Sequence, residues 1–164
     1  MGKKLNIKHR KNSGFSLIEL VVTLAIAGIL MYYAIPAYSD FSKRQTLSNQ
    51  TNDLLGDLGF ARSLAIENGS VVTVTSANGN NWSNGWDISE TSADGSLNVI
   101  RTKIELPDSV SITATDSDVT YNSLGALRTP AVVNFDIEIL PDFPDFLAIN
   151  VLPSGLASSN RGGN

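Results

Sequence analysis

The chain contains no cysteine, and its single histidine, His9, lies ahead of Gly14. Without cysteine no disulfide staples the fold, and redox compartment cannot be read from thiol usage. Removal of the residues before Phe15 would take away the histidine as well. The remainder would then have no thiolate nucleophile, no Ser-His pair and no ordinary zinc ligand set. No G-x-S-x-G element, phosphate-binding P-loop or dinucleotide fingerprint occurs either. Catalysis is nearly excluded by these absences, and no cofactor is expected.

Acidic residues are missing from the first fourteen positions, where Lys3, Lys4, Lys8, Arg10 and Lys11 supply five of the twelve basic residues. Without that segment the chain would carry seven basic and sixteen acidic residues, a formal charge of 7 − 16 = −9. So acidic a product repels phosphate backbones, which argues against a general nucleic-acid role. At 164 residues the length fits one domain.

Charge is absent again from Leu20 to Ala37, eighteen residues long enough to be a candidate membrane span. A helix from Phe15 to Tyr38 would be about 36 Å long at roughly 1.5 Å per residue, enough to cross a hydrocarbon core of about 30 Å. The upstream lysines and arginines place the N-terminus in the cytoplasm and the bulk of the chain outside. Tyr32, Tyr33 and Tyr38 sit where an aromatic belt meets the far interface.

Three readings fit such a segment. A secretory signal would have a shorter apolar run before a small-residue site such as Ala34 to Ala37. A plain anchor explains the length but gives Glu19 no purpose. Cleavage after Gly14, on the cytoplasmic side, would instead leave the apolar helix on the mature chain. Glu19 favours the third. A charge near mid-bilayer costs on the order of 2.5–3.5 kcal/mol, less near an end, and is usually paired. A chain beginning at Phe15 would place a new α-amino group one helical turn from Glu19, on the same chain or a packed neighbour. The plainer alternative is an interfacial glutamate reaching water.

The stretch "SGFSLIELVVTLAIAGIL", followed by Ile35-Pro36-Ala37, resembles the class III signal of type IV pilins and type II secretion pseudopilins. The resemblance implies cutting between Gly14 and Phe15 by a prepilin peptidase, N-methylation of Phe15, and assembly through Phe15 and Glu19. There Glu19 would pair with a neighbouring subunit's amino terminus. It also implies that the helix loosens between Gly28 and Pro36 when subunits pack. Proline removes a donor and clashes with the preceding turn at a cost of about 3 kcal/mol, and glycine adds a weakness of about 1 kcal/mol. A static kink is the competing account of the same pair.

Beyond Tyr38, Leu47, Thr51, Leu54, Leu58, Ala61 and Ala65 recur every three or four residues, which predicts a helix from about Ser16 to the Asn68-Gly69 stop. Gly56 and Gly59, poor in helix propensity, suggest the close approach of a strand. After Gly69 the period becomes two. Strands are predicted at Ser70 to Ser76, Gly85 to Ser89, Leu97 to Lys103, Ser109 to Thr115, Val119 to Asn122, Ala131 to Leu140 and Phe146 to Leu152. "ARSLAIENGSVVTV", "WSNGWDI", "LNVIR", "VTYNSLGAL" and "LAINVLPSGLAS" are similar to landmarks of pseudopilin H and FimT-like minor pilins.

The expected fold is α+β and type IV pilin-like: a long N-terminal helix, membrane-spanning in its first half, packed on a small antiparallel sheet or sandwich. Residues 1–14 form a cleaved basic leader, 15–38 a transmembrane assembly helix and 39–68 its amphipathic continuation. Residues 69–158 form a periplasmic β domain and 159–164 a flexible tail.

Other candidate sites have plainer readings. Trp82 and Trp86 could make a ligand platform, but such residues more often anchor a turn into a core. Asp116 with Asp118, or Asp142 with Asp145, could bind calcium, yet neither pair approaches the six to eight oxygens that ion takes. FimT-like DNA receptors are similar in an arginine-rich G-R-x-R near the last turn. Here Gly155-Leu156-Ala157-Ser158 lacks both arginines, and Arg161 stands beyond it alone. Nucleic acid is therefore an unlikely partner.

The resemblance implies a minor pseudopilin of a type II secretion system, held in the bacterial inner membrane and assembling near the tip of a periplasmic filament. Its partners would be other pseudopilins or pilins, the prepilin peptidase and methyltransferase, the inner membrane and an assembly platform. The alternatives are a minor pilin that primes a type IV pilus and, below it, a DNA-uptake receptor.

Overall fold

Residues 17–68 form one helix because their apolar positions and helix formers meet no stop signal except Pro36. The structure, a computed structural model, describes residues 14–162 apart from Ala93, Glu105 and Asp142. The leader expected before Gly14 lies outside the described residues. Helix α1 runs Leu17–Asn68, with Pro36 inside it. It ends where Gly69 takes φ +61° and the Ser70 N–H donates to the Ala65 carbonyl at 3.2 Å. That left-handed cap satisfies a carbonyl left over at the helix end.

The chain divides into two compact units, Met1–Asp40 and Phe41–Asn164. In the first, helical residues are apolar on every side, and all but Ala27 are exposed. The second has a buried core. Its helical part buries Leu47, Thr51, Leu54, Leu58, Ala61 and Ala65, the stripe expected from the periodicity, together with Asp57.

Eight antiparallel strands follow: β1 Val71–Asn78, β2 Asn81–Thr91, β3 Leu97–Lys103, β4 Val110–Ala114, β5 Asp118–Tyr121, β6 Val133–Ile139, β7 Phe146–Val151 and β8 Ala157–Gly162. They form one sheet in the order β5-β1-β2-β4-β6-β7-β8, with β3 paired to β2. Among the described residues there is one sheet and no facing one, because the helix stripe covers its apolar face. β6 illustrates the pattern, burying Val133, Phe135, Ile137 and Ile139 and exposing the residues between. The core combines these with Val72, Val74, Trp82, Trp86, Ile88, Ile112, Tyr121, Ile149 and Val151.

β2 joins two halves of the sheet. Trp86 to Thr91 pair with β3, whereas only Asn81 pairs with Thr113 of β4. Between them the strands part, and the gap is bridged by the Ser83 side chain, whose hydroxyl oxygen accepts the Ile112 N–H at 2.9 Å. Gly85, at φ +94°, lets the end of β3 approach closely: a Cβ there would lie 2.1 Å from the Lys103 carbonyl oxygen.

Three expectations change. The second strand starts at Asn81 rather than Gly85, because only Gly79 and Asn80 are needed for the turn. Gly56 and Gly59 lie on the exposed side of α1, where a Cβ would meet nothing within 4 Å, so no strand approaches them. The expected flexible tail is strand through Gly162: β8 pairs with β7 from Ala157↔Val151 to Gly162↔Phe146. Its polar sequence hid this, since an edge strand is held by backbone bonds.

Candidate assembly site

Gly14, Phe15 and Ser16 precede the helix, and Ser16 starts it. The Ser16 hydroxyl oxygen accepts the Glu19 N–H at 3.2 Å, and the Ser16 carbonyl accepts the Leu20 N–H at 3.2 Å. Ser16 is thus the N-cap and Glu19 the third helical residue, the S-x-x-E spacing of a capping box. Glu19 lies in the first turn, where the positive end of the helix dipole favours a carboxylate. Ser16 was missed by the sequence reading, although its spacing to Glu19 was the available signal.

Thr23 is a second such residue. Its hydroxyl donates to the Glu19 carbonyl at 2.9 Å and the Leu20 carbonyl at 2.8 Å. A hydroxyl satisfied by its own helix needs no water, which suits it to an apolar surround. Phe15 is 82% exposed, and Leu17, Ile18, Leu20, Leu24, Ile29 and Leu30 are each more than half exposed. Glu19 therefore stands in an apolar surface that this chain does not cover.

The predicted residues fall into two groups. Gly14, Phe15 and Glu19 come together at the helix start. Gly28 and Pro36 lie farther along it, and a Cβ at Gly28 would meet nothing within 4 Å. At Gly14 a Cβ likewise meets nothing within 4 Å, so packing within the chain does not require glycine there.

The second unit resolves the other candidates. Trp82 and Trp86 are buried, with ring centroids 6.3 Å apart, and Trp82 meets Phe135 edge-on at 4.9 Å. The Trp82 indole donates to the Asp116 carbonyl and the Trp86 indole to the Asp57 carboxylate, each at 3.0 Å. They are core anchors, not a platform. Asp57 also binds the Arg101 guanidinium, which lies 4.2 Å from the Phe60 ring centroid. This group ties α1 to β2 and β3. No sequence period reveals it, since a charged residue in an apolar stripe has its partners far along the chain.

Asp116 accepts from the Thr115 hydroxyl at 3.2 Å, Asp118 from Thr120 at 3.0 Å, and Asp145 pairs with Arg44 at 2.9 Å. Asp142 lies outside the described residues. Among the described residues, no group of three His, Cys, Asp or Glu is placed to hold a metal ion. Gly155 takes φ +80° in the last turn, where a Cβ would lie 1.8 Å from the Gly125 carbonyl oxygen. Arg62 donates to that same oxygen at 2.8 Å, locking two turns to α1.

Two titrating groups complete this end of the helix. Hydrogen bonds from Ser70 and then Asn68 hold the Glu90 carboxyl below the usual glutamate range. Burial pushes the Tyr121 hydroxyl above the usual tyrosine range, opposed by the charge of Arg62.

Comparison with known proteins adds the following. The profile of the type II transport protein GspH matches residues 50–155, and that of the prokaryotic N-terminal methylation motif matches residues 9–31. Fimbrial protein EcpC of Eikenella corrodens is 46% identical over 46 residues, covering 28% of this chain and 30% of that protein. The type IV major fimbrial protein FimA of Dichelobacter nodosus is 54% identical over 35 residues, covering 21% of this chain and 22% of FimA. The chain thus matches less than a third of the length of these relatives. Among solved structures, the type IV minor pilin FimU of Pseudomonas aeruginosa superposes with a TM-score of 0.64 at 18% identity. That match covers 73% of this chain and 92% of FimU, and it establishes a shared fold: one long helix on an antiparallel sheet.

Proposed function

Because the chain belongs to the GspH family of type II transport proteins, we propose that it is a minor pseudopilin, a structural subunit of a type II secretion filament. One observation carries this reading: an apolar helix, exposed on all sides, with Glu19 capped in its first turn. Among the described residues it is the helix long and apolar enough to cross a membrane. Before assembly the helix lies in the inner membrane, with the leader cytoplasmic and the β domain periplasmic. Prepilin peptidase cuts between Gly14 and Phe15, and Phe15 is methylated.

In the filament, helices from several copies replace lipid. Glu19 then meets the amino group of a neighbour's Phe15, which offsets the roughly 2.5–3.5 kcal/mol that a charge in an apolar layer costs. Gly28 and Pro36 are where the helix yields as it packs, Pro36 because it offers no N–H to the preceding turn. The subunit sits near the tip and performs no catalysis.

The intact mass of membrane-extracted protein tests the reading. The expected species begins at Phe15 and carries one methyl group, whereas Gly14→Ala retains the full-length mass. A native chain that keeps Met1 would overturn cleavage. Glu19→Ala is expected to be cut normally yet to enter filaments poorly, and undiminished entry would remove the pairing role.

A second reading, a minor pilin that primes a type IV pilus, is favoured by the partial identity of the chain to fimbrial proteins. Loss of pilus number, rather than of secretion, in a strain lacking the gene would select it. A DNA-uptake role has less support, because Leu156 and Ser158 stand where the G-R-x-R pattern has arginines. Salt-sensitive retardation of DNA by the protein would restore it.

A further inference from the structure

The bond that the proposed cleavage breaks lies just ahead of the helix cap. Gly14 and Phe15 are exposed and non-helical, Ser16 is the N-cap, and α1 begins at Leu17. The Ser16 carbonyl accepts the Leu20 N–H at 3.2 Å, and the Ser16 hydroxyl oxygen accepts the Glu19 N–H at 3.2 Å. Among the described residues, the Gly14 carbonyl accepts no backbone hydrogen bond.

This start excludes a longer helix. In a continuous helix each N–H bonds the carbonyl four residues earlier, so Ile18 would bond Gly14. Hydrolysis adds water to the Gly14 carbonyl carbon, breaks its bond to the Phe15 nitrogen and delivers a proton to that nitrogen. The products are a Gly14 carboxylate and a Phe15 amine. An exposed, unpaired carbonyl is open to the polarisation and attack that this step needs. A carbonyl bonded within a helix must first be unwound. Two residues oppose the longer helix. Gly14 is a poor helix former, and no neighbour would crowd a Cβ there. Ser16 satisfies the Glu19 N–H with its side chain and so fixes the start at Leu17.

We propose that Ser16 is a positioning residue for the cleavage. By capping α1 immediately after Phe15, it keeps the Gly14–Phe15 peptide outside the helix and open to a prepilin peptidase. The inference rests on the proposed cleavage after Gly14. Without the Ser16 hydroxyl, the next residue of capping type upstream is Ser13. A helix capped there takes in Gly14 and Phe15 and pairs the Gly14 carbonyl with the Ile18 N–H.

The test uses the full-length precursor in detergent micelles with purified prepilin peptidase. Labelling glycine with carbonyl ¹³C and phenylalanine with ¹⁵N selects the two Gly-Phe peptides, Gly14-Phe15 and Gly59-Phe60. Gly59, inside α1, supplies a helical reference in the same spectrum. Wild type, Ser16→Ala, Ser16→Thr and Ser16→Asn are compared for kcat/KM of cleavage and for the Gly14 carbonyl shift. Ser16→Ala is expected to be cut about fivefold less efficiently, the factor that a lost cap usually represents. Its Gly14 signal should move toward that of Gly59. Ser16→Thr and Ser16→Asn, which also cap, should restore both readouts. Cleavage of Ser16→Ala at the wild-type rate would overturn the positioning role and leave the cleavage site standing. Equal slowing of all three variants would also overturn it, since the peptidase would then read the serine itself. So would slowed cleavage of Ser16→Ala with an unmoved Gly14 signal. A wild-type chain left uncut by a peptidase that cuts another prepilin would overturn the cleavage site and the proposal together.

Discussion

Residues 14–40 and residues 41–162 are built on opposite rules. In the first stretch the large apolar side chains are exposed and the backbone is satisfied within the helix. In the second, Leu54, Leu58, Trp82, Ile88, Phe135 and Ile149 are fully buried between α1 and the sheet. Each side chain of that kind contributes about 1.5–3 kcal/mol through burial. Under the proposed function the apolar stretch would draw its stability from lipid and then from other subunits. Water-soluble stability resides in the other half.

The largest test of that contrast is a pair of truncations. Trp82→Ala should lower the unfolding free energy of the β domain by about 3–5 kcal/mol in urea denaturation of the detergent-solubilised protein. Ile29→Ala should leave the same transition within about 0.5 kcal/mol of wild type. Comparable losses from the two would break the comparison.

A smaller effect is expected at the charged group inside the core. Asp57→Ala strands the Trp86 indole and frees Arg101, at a cost of about 1–3 kcal/mol in the same measurement. Arg101→Ala should cost less, because a pair with one partner 49% exposed is weakened by solvent and the Asp57 carboxylate, itself 11% exposed, keeps the hydrogen bond from the Trp86 indole. The reverse order would mean that the ion pair, rather than the indole bond, holds β3.

The smallest effect is a pH dependence. Glu90 is held below its ordinary value of 4.5, so its contribution is complete above that value and is lost as pH falls through the lower folded one. Wild type should exceed Glu90→Gln in stability at neutral pH, and the two should converge on acidification. A difference that persists in strong acid would assign the effect to packing instead.

Much of the candidate site was legible because its information is local. Gly14, Phe15 and Glu19 belong to one short stretch, and the uncharged run to Ala37 could be measured by counting. Ser16 was equally local but was overlooked, its cap spacing hidden inside a longer resemblance. The helix stripe from Leu47 to Ala65 and the stop at Asn68-Gly69 were also legible, since both depend on periodicity and backbone freedom. β8 was not, because Ser158, Ser159 and Asn160 have no strand pattern and are placed by Asn150, Ile149 and Ala148 of β7.

By itself the sequence determined an apolar helix carrying one early carboxylate, a long amphipathic continuation and a β-rich remainder. Only the tertiary structure decided that Asp57 would sit in the core, that the end of β3 would close on Gly85, and that Lys43 and Arg44 would engage the turn before β7. Periodicity and caps act over one or two turns of chain, whereas these contacts join residues brought together by folding. Nothing in a residue's immediate neighbours specifies that meeting.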